Sequence, residues 1–321
     1  MGYLEAFMYD LGYSLFFLAK RLRKRFPVWE KVARWYEQRF SFFLNGKFVK
    51  WLEKHPVKDA LNTKLRKEKI TVSLTSFPAR IEYVHIAIET LMRQSMKPDR
   101  IVLWLAESQF PDQKLPPKLI ALQARGLTIR YCENLRSHKK YYYSFREYPE
   151  DNIILADDDL FYPRDTVKRL MNLHRKHPED IVCVSAQIIT PTVSSLPSVW
   201  QLPQPGKRYT SCWEAQAFTG AGSLFPSRWY PEETMDKEKS MELATTADDL
   251  WLKAMSLNAG VLTTLLYPSR GFPVEIMIRN NVTLYQQNRF EGGNKNDQAW
   301  ELLINEYGNN WQFPKTTAQG D

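Results

Sequence analysis

The chain reads as an α/β protein, a doubly wound mixed sheet preceded by an amphipathic helical region. Two observations predict this. Between residues 70 and 156, short apolar and β-branched runs alternate with helical segments at βαβ spacing, which calls for parallel strands joined by right-handed crossovers. Ahead of them, residues 1–69 place apolar and aromatic side chains at helical spacing, interleaved with basic ones. At 321 residues and 44% apolar content, the chain can bury one large core or two smaller ones.

The N-terminal region comes first. Tyr3, Leu4, Phe7, Met8 and Leu11, followed by Leu15, Phe16, Leu18 and Leu22, fall at helical spacings, with Lys20, Arg21, Arg23, Lys24 and Arg25 among and behind them. Pro27 breaks this helix, and a second, starting near Val28, carries Trp29, Val32, Trp35, Tyr36, Phe40, Phe43 and Leu44. Residues 1–69 hold 16 basic and 7 acidic side chains, so the formal net charge of +8 resides entirely in this fifth of the chain. Such helices are expected to lie on a membrane surface, rings in the headgroup boundary and cations against anionic lipid. The competing expectation is that they pack on the following domain. No apolar run is long enough to span a bilayer and no small-residue cleavage site closes the early apolar segment, so neither a spanning helix nor a removed signal is expected. Nucleic acid is not an expected partner, because no recognisable module accompanies the basic residues.

A charged linker over residues 58–69 leads into the first expected strand, residues 70–74, whose carboxyl end runs into Thr75, Ser76, Phe77, Pro78, Ala79 and Arg80. Helix over 81–94, strand over 100–105, helix over 118–124, strand over 127–131, helix over 139–148 and strand over 153–156 follow in turn. Neither a dinucleotide glycine fingerprint nor a P-loop is present. Cys132, Cys183 and Cys212 are too few and too scattered for a disulfide framework or a zinc cluster, and are expected as small buried hydrophobes in a reducing compartment.

The stretch that organises the chain is residues 152–163, NIILADDDLFYP. A buried strand stops abruptly at Asp157, Asp158 and Asp159, the carboxyl end where open α/β sheets bind ligands. Three adjacent carboxylates repel one another, so a divalent cation or a cluster of basic side chains should lie opposite them, and the cation is the expectation. Oxygen-only ligands suit Mg²⁺ or Mn²⁺, which keep several waters and bind through one or two carboxylates plus substrate phosphates. An EF-hand is excluded by the missing glycine and distal glutamate, and an acidic triplet on a solvated loop is the plain alternative.

In the second half a helix over 165–174 and a strand over 181–185 precede an irregular stretch punctuated by Pro191, Pro197, Pro203 and Pro205. Trp200, Trp213, Thr219, Gly220 and Gly222 cluster there: glycines admit a ligand close to the backbone, and tryptophans offer flat faces to sugar rings, or else simply fill a core. Residues 245–255, TTADDLWLKAM, open a helix with Asp248 and Asp249, which the helix dipole alone would also favour.

Taken together, the TSFPARI loop, the HKKYYY segment at 138–143, the strand ending in ADDD and the TADDLWL segment resemble bacterial GT-A-fold glycosyltransferases of the capsule and lipopolysaccharide type, akin to the large family-two group. The resemblance covers roughly residues 70–297 and implies a Rossmann-like GT-A domain over 70–314, with a nucleotide-sugar half (70–163), an acceptor half (164–314) and a flexible tail (315–321). It implies that Asp157 and Asp159, with Asp158 between them, form the DxD motif that holds Mn²⁺ or Mg²⁺ on a nucleotide diphosphate, Asp157 and Asp158 also reaching the nucleotide. Thr75, Phe77 and Arg80 would embrace base and ribose, and His138, Lys139 and Lys140 would lie beside the donor. Trp200, Trp213, Thr219, Gly220, Gly222 and Trp251 would border the sugar and acceptor. Asp249 would be the base of an inverting transfer, with Asp248 orienting the acceptor and the two roles open to exchange. No histidine follows His177, so Asn296 or Asp297 would replace a late metal ligand, and Gly292 and Gly293 would form a lid bringing Arg279 and Lys295 to the diphosphate.

The implied activity is metal-dependent transfer of a sugar from a nucleotide donor, most simply a UDP-sugar, to a hydroxyl of a surface polysaccharide or lipid-linked glycan. It would take place in the cytoplasm at the inner face of the cell membrane. Two alternatives stay open: a metal-dependent nucleotidyltransferase or phosphotransferase, and a non-catalytic carbohydrate-binding protein. Phe161 counts against a haloacid-dehalogenase-type site, which needs Thr or Val there.

Overall fold

The computed structural model describes residues 2–226, 228, 230–267, 272–278 and 294–313. Helices α1 (Gly2–Arg25) and α2 (Glu30–Phe43) form a hairpin, closed by the short turn Pro27–Trp29 where Pro27 denies the first helix its next hydrogen bond. They cross closely at Gly12, where a Cβ would fall 2.2 Å from the Phe40 ring. A π-turn, Leu44–Phe48, leads into α3 (Val49–Lys54).

The α/β body then runs β1 (Ile70–Thr75), α4 (Val84–Met92), β2 (Arg100–Ala106), α5 (Pro117–Gln123), β3 (Leu127–Cys132), α6 (Lys139–Glu147), β4 (Asn152–Ala156), β5 (Leu160–Phe161), α7 (Thr166–His174), β6 (Ile181–Cys183), β7 (Ala186–Ile188), β8 (Ala215–Ala217), β9 (Ala221–Phe225), α8 (Lys237–Leu243), α9 (Asp248–Asn258), β10 (Thr263–Leu265), β11 (Val274–Glu275) and α10 (Lys295–Tyr307). Seven strands form one sheet in the order β10-β6-β9-β4-β1-β2-β3. β3, β2, β1 and β4 are parallel, and Val72 lies between Ile101 and Ile154 in register. β9 runs antiparallel to both β4 and β6, which makes the sheet mixed.

Side chains alternate between two faces. Ile154 joins one core with Val72, Leu74, α4, α5 and α7, whereas Ile153 and Leu155 join a second core with α6, α9 and α10. Every β4 residue is therefore buried, and the chain meets solvent again only at the aspartates that follow. The three cysteines are buried and unpaired.

Two expectations change here. Gly222, read with Thr219 and Gly220 as part of a ligand loop, lies instead in the fully buried strand β9. Gly222 takes φ +94° beside the register shift between Leu155 and Ala156, a conformation that side-chain-bearing residues rarely adopt. The rings of the N-terminal helices also divide. Tyr9, Tyr13, Phe16 and Phe40 are buried in the first core, so the hairpin does pack on the following domain, whereas Phe7, Trp29, Trp35 and Phe42 stay exposed. Tyr9 and Tyr13 donate their hydroxyls to the carbonyls of Tyr162 and Phe161, and so hold the segment directly behind the acidic turn.

Candidate active site

Asp157 leaves the end of β4 with its carboxylate over Gly220, and a Cβ at position 220 would lie 1.6 Å from Asp157 Oδ2. The Asp157 amide donates to the Gly220 carbonyl (3.2 Å) and to the Tyr162 hydroxyl (2.7 Å), and that hydroxyl in turn donates to the Gly220 carbonyl (2.6 Å). A glycine, a strand end and a tyrosine five residues on thus fix one carboxylate.

Lys140, from the first turn of α6, is buried and donates to Asp157 Oδ1 at 2.6 Å. The same ammonium lies 3.2 Å from Asp248 Oδ2 at the start of α9, and Thr219 Oγ1 donates to that oxygen at 2.9 Å. Burial alone would lower the Lys140 pKa, but Asp157 and Asp248 outweigh it and raise it well above the ordinary lysine value. Burial likewise works to raise Asp248, and Lys140 and then His138 bring it below the usual carboxylate range. The strand-end acid and the helix-start acid therefore share one cation.

A second knot lies beside it. Asp158 accepts from Ser76 (2.6 Å) and from Arg80 (2.8 Å), and the same Arg80 nitrogen lies 2.7 Å from Asp159 Oδ2. Arg80 also covers the half-buried Phe77 ring at 5.4 Å. Burial raises Asp158, and burial with the charges of Asp158 and Asp157 lifts Asp159 to about 7 despite Arg80. Asp249 also rises to about 7, first through burial and then through Asp248, while hydrogen bonds from its own Leu250 amide and from Gln216 oppose the rise.

What the chain itself places opposite the triplet is the basic pair Arg80 and Lys140, beside which the expected divalent cation would have to sit. Among the described residues, five carboxylates surround these two buried cations, and two of the acids keep their protons to about 7. No group of three or more His, Cys, Asp or Glu side chains converges as a ligand set there. Asp157 Oδ2 and Asp159 Oδ1 receive no hydrogen bond from described residues. The surplus negative charge and these two oxygens fit a hard divalent cation that takes its other ligands from water and phosphate.

Other expected site residues are placed elsewhere. His138 is fully buried; its Nε2 donates to the Ala244 carbonyl (2.8 Å), its Nδ1 faces the Tyr141 hydroxyl (3.1 Å), and burial lowers its pKa. It anchors the turn that sets Asp248, with both ring nitrogens taken up by partners within the chain. Lys139, lowered to about 8 by burial, donates to the Arg136 carbonyl in its own loop (2.7 Å). Thr75 Oγ1 donates to the Trp104 carbonyl (2.8 Å).

The tryptophans largely fill the core. Trp200 is buried edge-on to Trp300 at 5.0 Å and donates to the Ser195 carbonyl. Trp251 is fully buried and donates to the Thr234 carbonyl. Neither offers a face to a sugar, while Trp213 is half-buried against Phe313. Asp297 accepts from the Ser198 amide (2.8 Å). Arg279, Gly292 and Gly293, named for a lid, and the tail 315–321 lie outside the described residues. Sequence reasoning missed Ser76 and Tyr162: Ser76 lies 82 residues from Asp158, and Tyr162, though only five from Asp157, reads in sequence as one more apolar residue behind the acids.

No family model matches the chain, and no curated protein matches it. Among solved structures, fragment 1–349 of S. aureus TarS aligns at TM-score 0.42 and 10% identity over 62% of this chain and 58% of that one. The same fragment in complex with UDP-GlcNAc gives 0.42 and 10% over 62% and 56%. The mannosyltransferase PcManGT from Pyrobaculum calidifontis, in complex with GDP-Man and Mn²⁺, gives 0.38 and 14% over 70% and 62%. A CMP:2-keto-3-deoxy-manno-octonic acid synthetase complexed with CTP gives 0.37 and 12% over 62% and 89%. This chain spans less than two thirds of the length of the TarS fragment, and at such scores and identities these likenesses carry no argument about it. The α/β architecture rests on its own strand order.

Proposed function

We propose that this chain is a metal-dependent glycosyltransferase of the GT-A type, which moves a sugar from a nucleotide diphosphate, most simply UDP, to a hydroxyl of a glycan or lipid-linked acceptor. The observation that carries the reading is the Asp157–Lys140–Asp248 bridge. It ties an acidic turn at a strand end, where a diphosphate would be held, to a helix start bearing a second acid that titrates near neutrality.

In this reading Asp157 and Asp159 hold Mn²⁺ or Mg²⁺. When bound, that ion offsets the charge that develops on the departing diphosphate. Asp158, pinned by Ser76 and Arg80, keeps the turn in shape, and Phe77 at the tip of β1 borders the base. Asp249 takes the proton of the acceptor hydroxyl as that oxygen bonds to the anomeric carbon and the bond to the diphosphate oxygen breaks. A proton acceptor with a pKa of about 7 is well matched to this task at neutral pH. Attack opposite the leaving group inverts the anomeric centre.

The test is a panel of nucleotide-sugars and nucleoside triphosphates incubated with the protein and Mn²⁺. Slow release of UDP from one sugar donor supports the proposal. Pyrophosphate release from a triphosphate, without donor hydrolysis, replaces it with nucleotidyl transfer.

A further inference from the structure

The α1–α2 hairpin has two opposed sides. One is buried through Tyr9, Tyr13, Phe16 and Phe40. On α1 the opposite side exposes Phe7, Met8, Leu11, Leu15 and Leu18, spaced by one, three and four residues, and Trp29 in the turn and Val32, Trp35 and Phe42 on α2 are exposed as well. Trp35 and Phe42 are 57% and 63% exposed, values that no core packing explains. A surface this apolar on a folded chain implies an occupant.

Charge selects which one. Among the hairpin acids whose side chains the structure describes, Asp10, Glu30 and Glu37 are each spent in an ion pair, with Arg164, Arg34 and Arg23. Arg21, Lys31, Arg39, Lys47 and Lys50 have no carboxylate partner within the described residues, and Arg39 lies over Trp35 at 5.9 Å. A second copy of the chain would bring like charge against like charge. An anionic surface with an apolar interior meets both features, since rings enter the headgroup boundary and cations remain at the phosphates. Among the described residues no helix is long and apolar enough to cross a membrane, so contact of this kind is lateral.

We infer that the outward side of the α1–α2 hairpin docks the protein on an anionic lipid bilayer. The inference stands apart from the transferase reading, because it uses none of the acids of the site. It also fixes an orientation: the buried side of α1 holds the Tyr162 and Phe161 carbonyls just behind the acidic turn, so the turn keeps a set height above the lipid.

Sedimentation with vesicles of phosphatidylcholine alone, and of phosphatidylcholine mixed with phosphatidylglycerol, tests it on the full chain. The expected result is binding to the mixed vesicles only, weakened by salt. Lys31→Gln and Arg39→Gln should each weaken partition about fivefold, and Trp35→Ser with Phe42→Ser should abolish it while the melting curve stays that of the native chain. Failure of the native chain to sediment with anionic vesicles overturns the inference. So does equal binding to neutral vesicles, or a dimer in light scattering that Trp35→Ser and Phe42→Ser dissociate.

Discussion

Gly220 and Asp157 stand so close that no side chain can be placed between them: a Cβ on residue 220 would lie 1.6 Å from Asp157 Oδ2. Gly220→Ala should therefore push the carboxylate from its position without emptying any core. The expected outcome is a loss of donor hydrolysis of about 100-fold, the scale of a misplacement of about 1 Å. Kinetics alongside denaturant unfolding would separate this from a folding defect, because the midpoint should move much less than the activity.

Lys140 is the only described cation that touches both Asp157 and Asp248. Replacing it by Met leaves two acids without their shared partner, one of them fully enclosed. Removing one side of a buried ion pair typically costs about 3–5 kcal/mol, so chemical denaturation of Lys140→Met should show a loss of that order. Activity should be absent even where the variant is still folded.

Asp249 sets the pH dependence. Its pKa is raised from the ordinary carboxylate value to about 7 by burial and then by Asp248, so it must lose its proton before it can accept one. The rate at low donor concentration should rise with pH up to about 7 and level off above it. The sign for stability is opposite. A raised carboxyl pKa favours the folded state at pH below the unfolded value, and that contribution is lost as pH climbs from about 4 to about 7. Asp249→Asn should thus raise the melting temperature at pH 8, abolish the inflection and lower the rate by about 10²–10⁴-fold.

Tyr162 serves the site through its hydroxyl alone, which joins the Asp157 amide to the Gly220 carbonyl. Tyr162→Phe keeps the ring and deletes that link. A loss of about 1–3 kcal/mol in stability is expected, with a fall in donor turnover that does not follow from stability alone. Equal turnover at equal folded fraction would contradict the role given to this residue.

The sequence announces the first half of the sheet plainly, because β2 and β4 are largely apolar runs and β1 alternates Ile70, Val72 and Leu74 with small hydroxyl residues, each ending at a polar loop. The acidic turn is legible for the same reason. β9 is not, since Ala221, Gly222 and Ser223 lack the bulk that marks a strand, and the sheet rather than local propensity makes it one. Trp200 and Trp251 show a further limit: a tryptophan near a glycine loop reads the same whether it floors a sugar site or fills a core. The cations opposite the triplet could be anticipated as a need but not assigned, since Arg80 and Lys140 reach the acids across 78 and 17 residues.

The central claim is that the acidic turn binds a nucleotide diphosphate through a divalent cation. Calorimetric titration of UDP into the native chain, with Mn²⁺ and after chelation with EDTA, tests it most directly, with Asp157→Asn and Asp159→Asn in parallel. The account predicts UDP binding that requires Mn²⁺ and is lost in both variants. UDP binding of equal strength with and without the metal, or none under either condition, would contradict it.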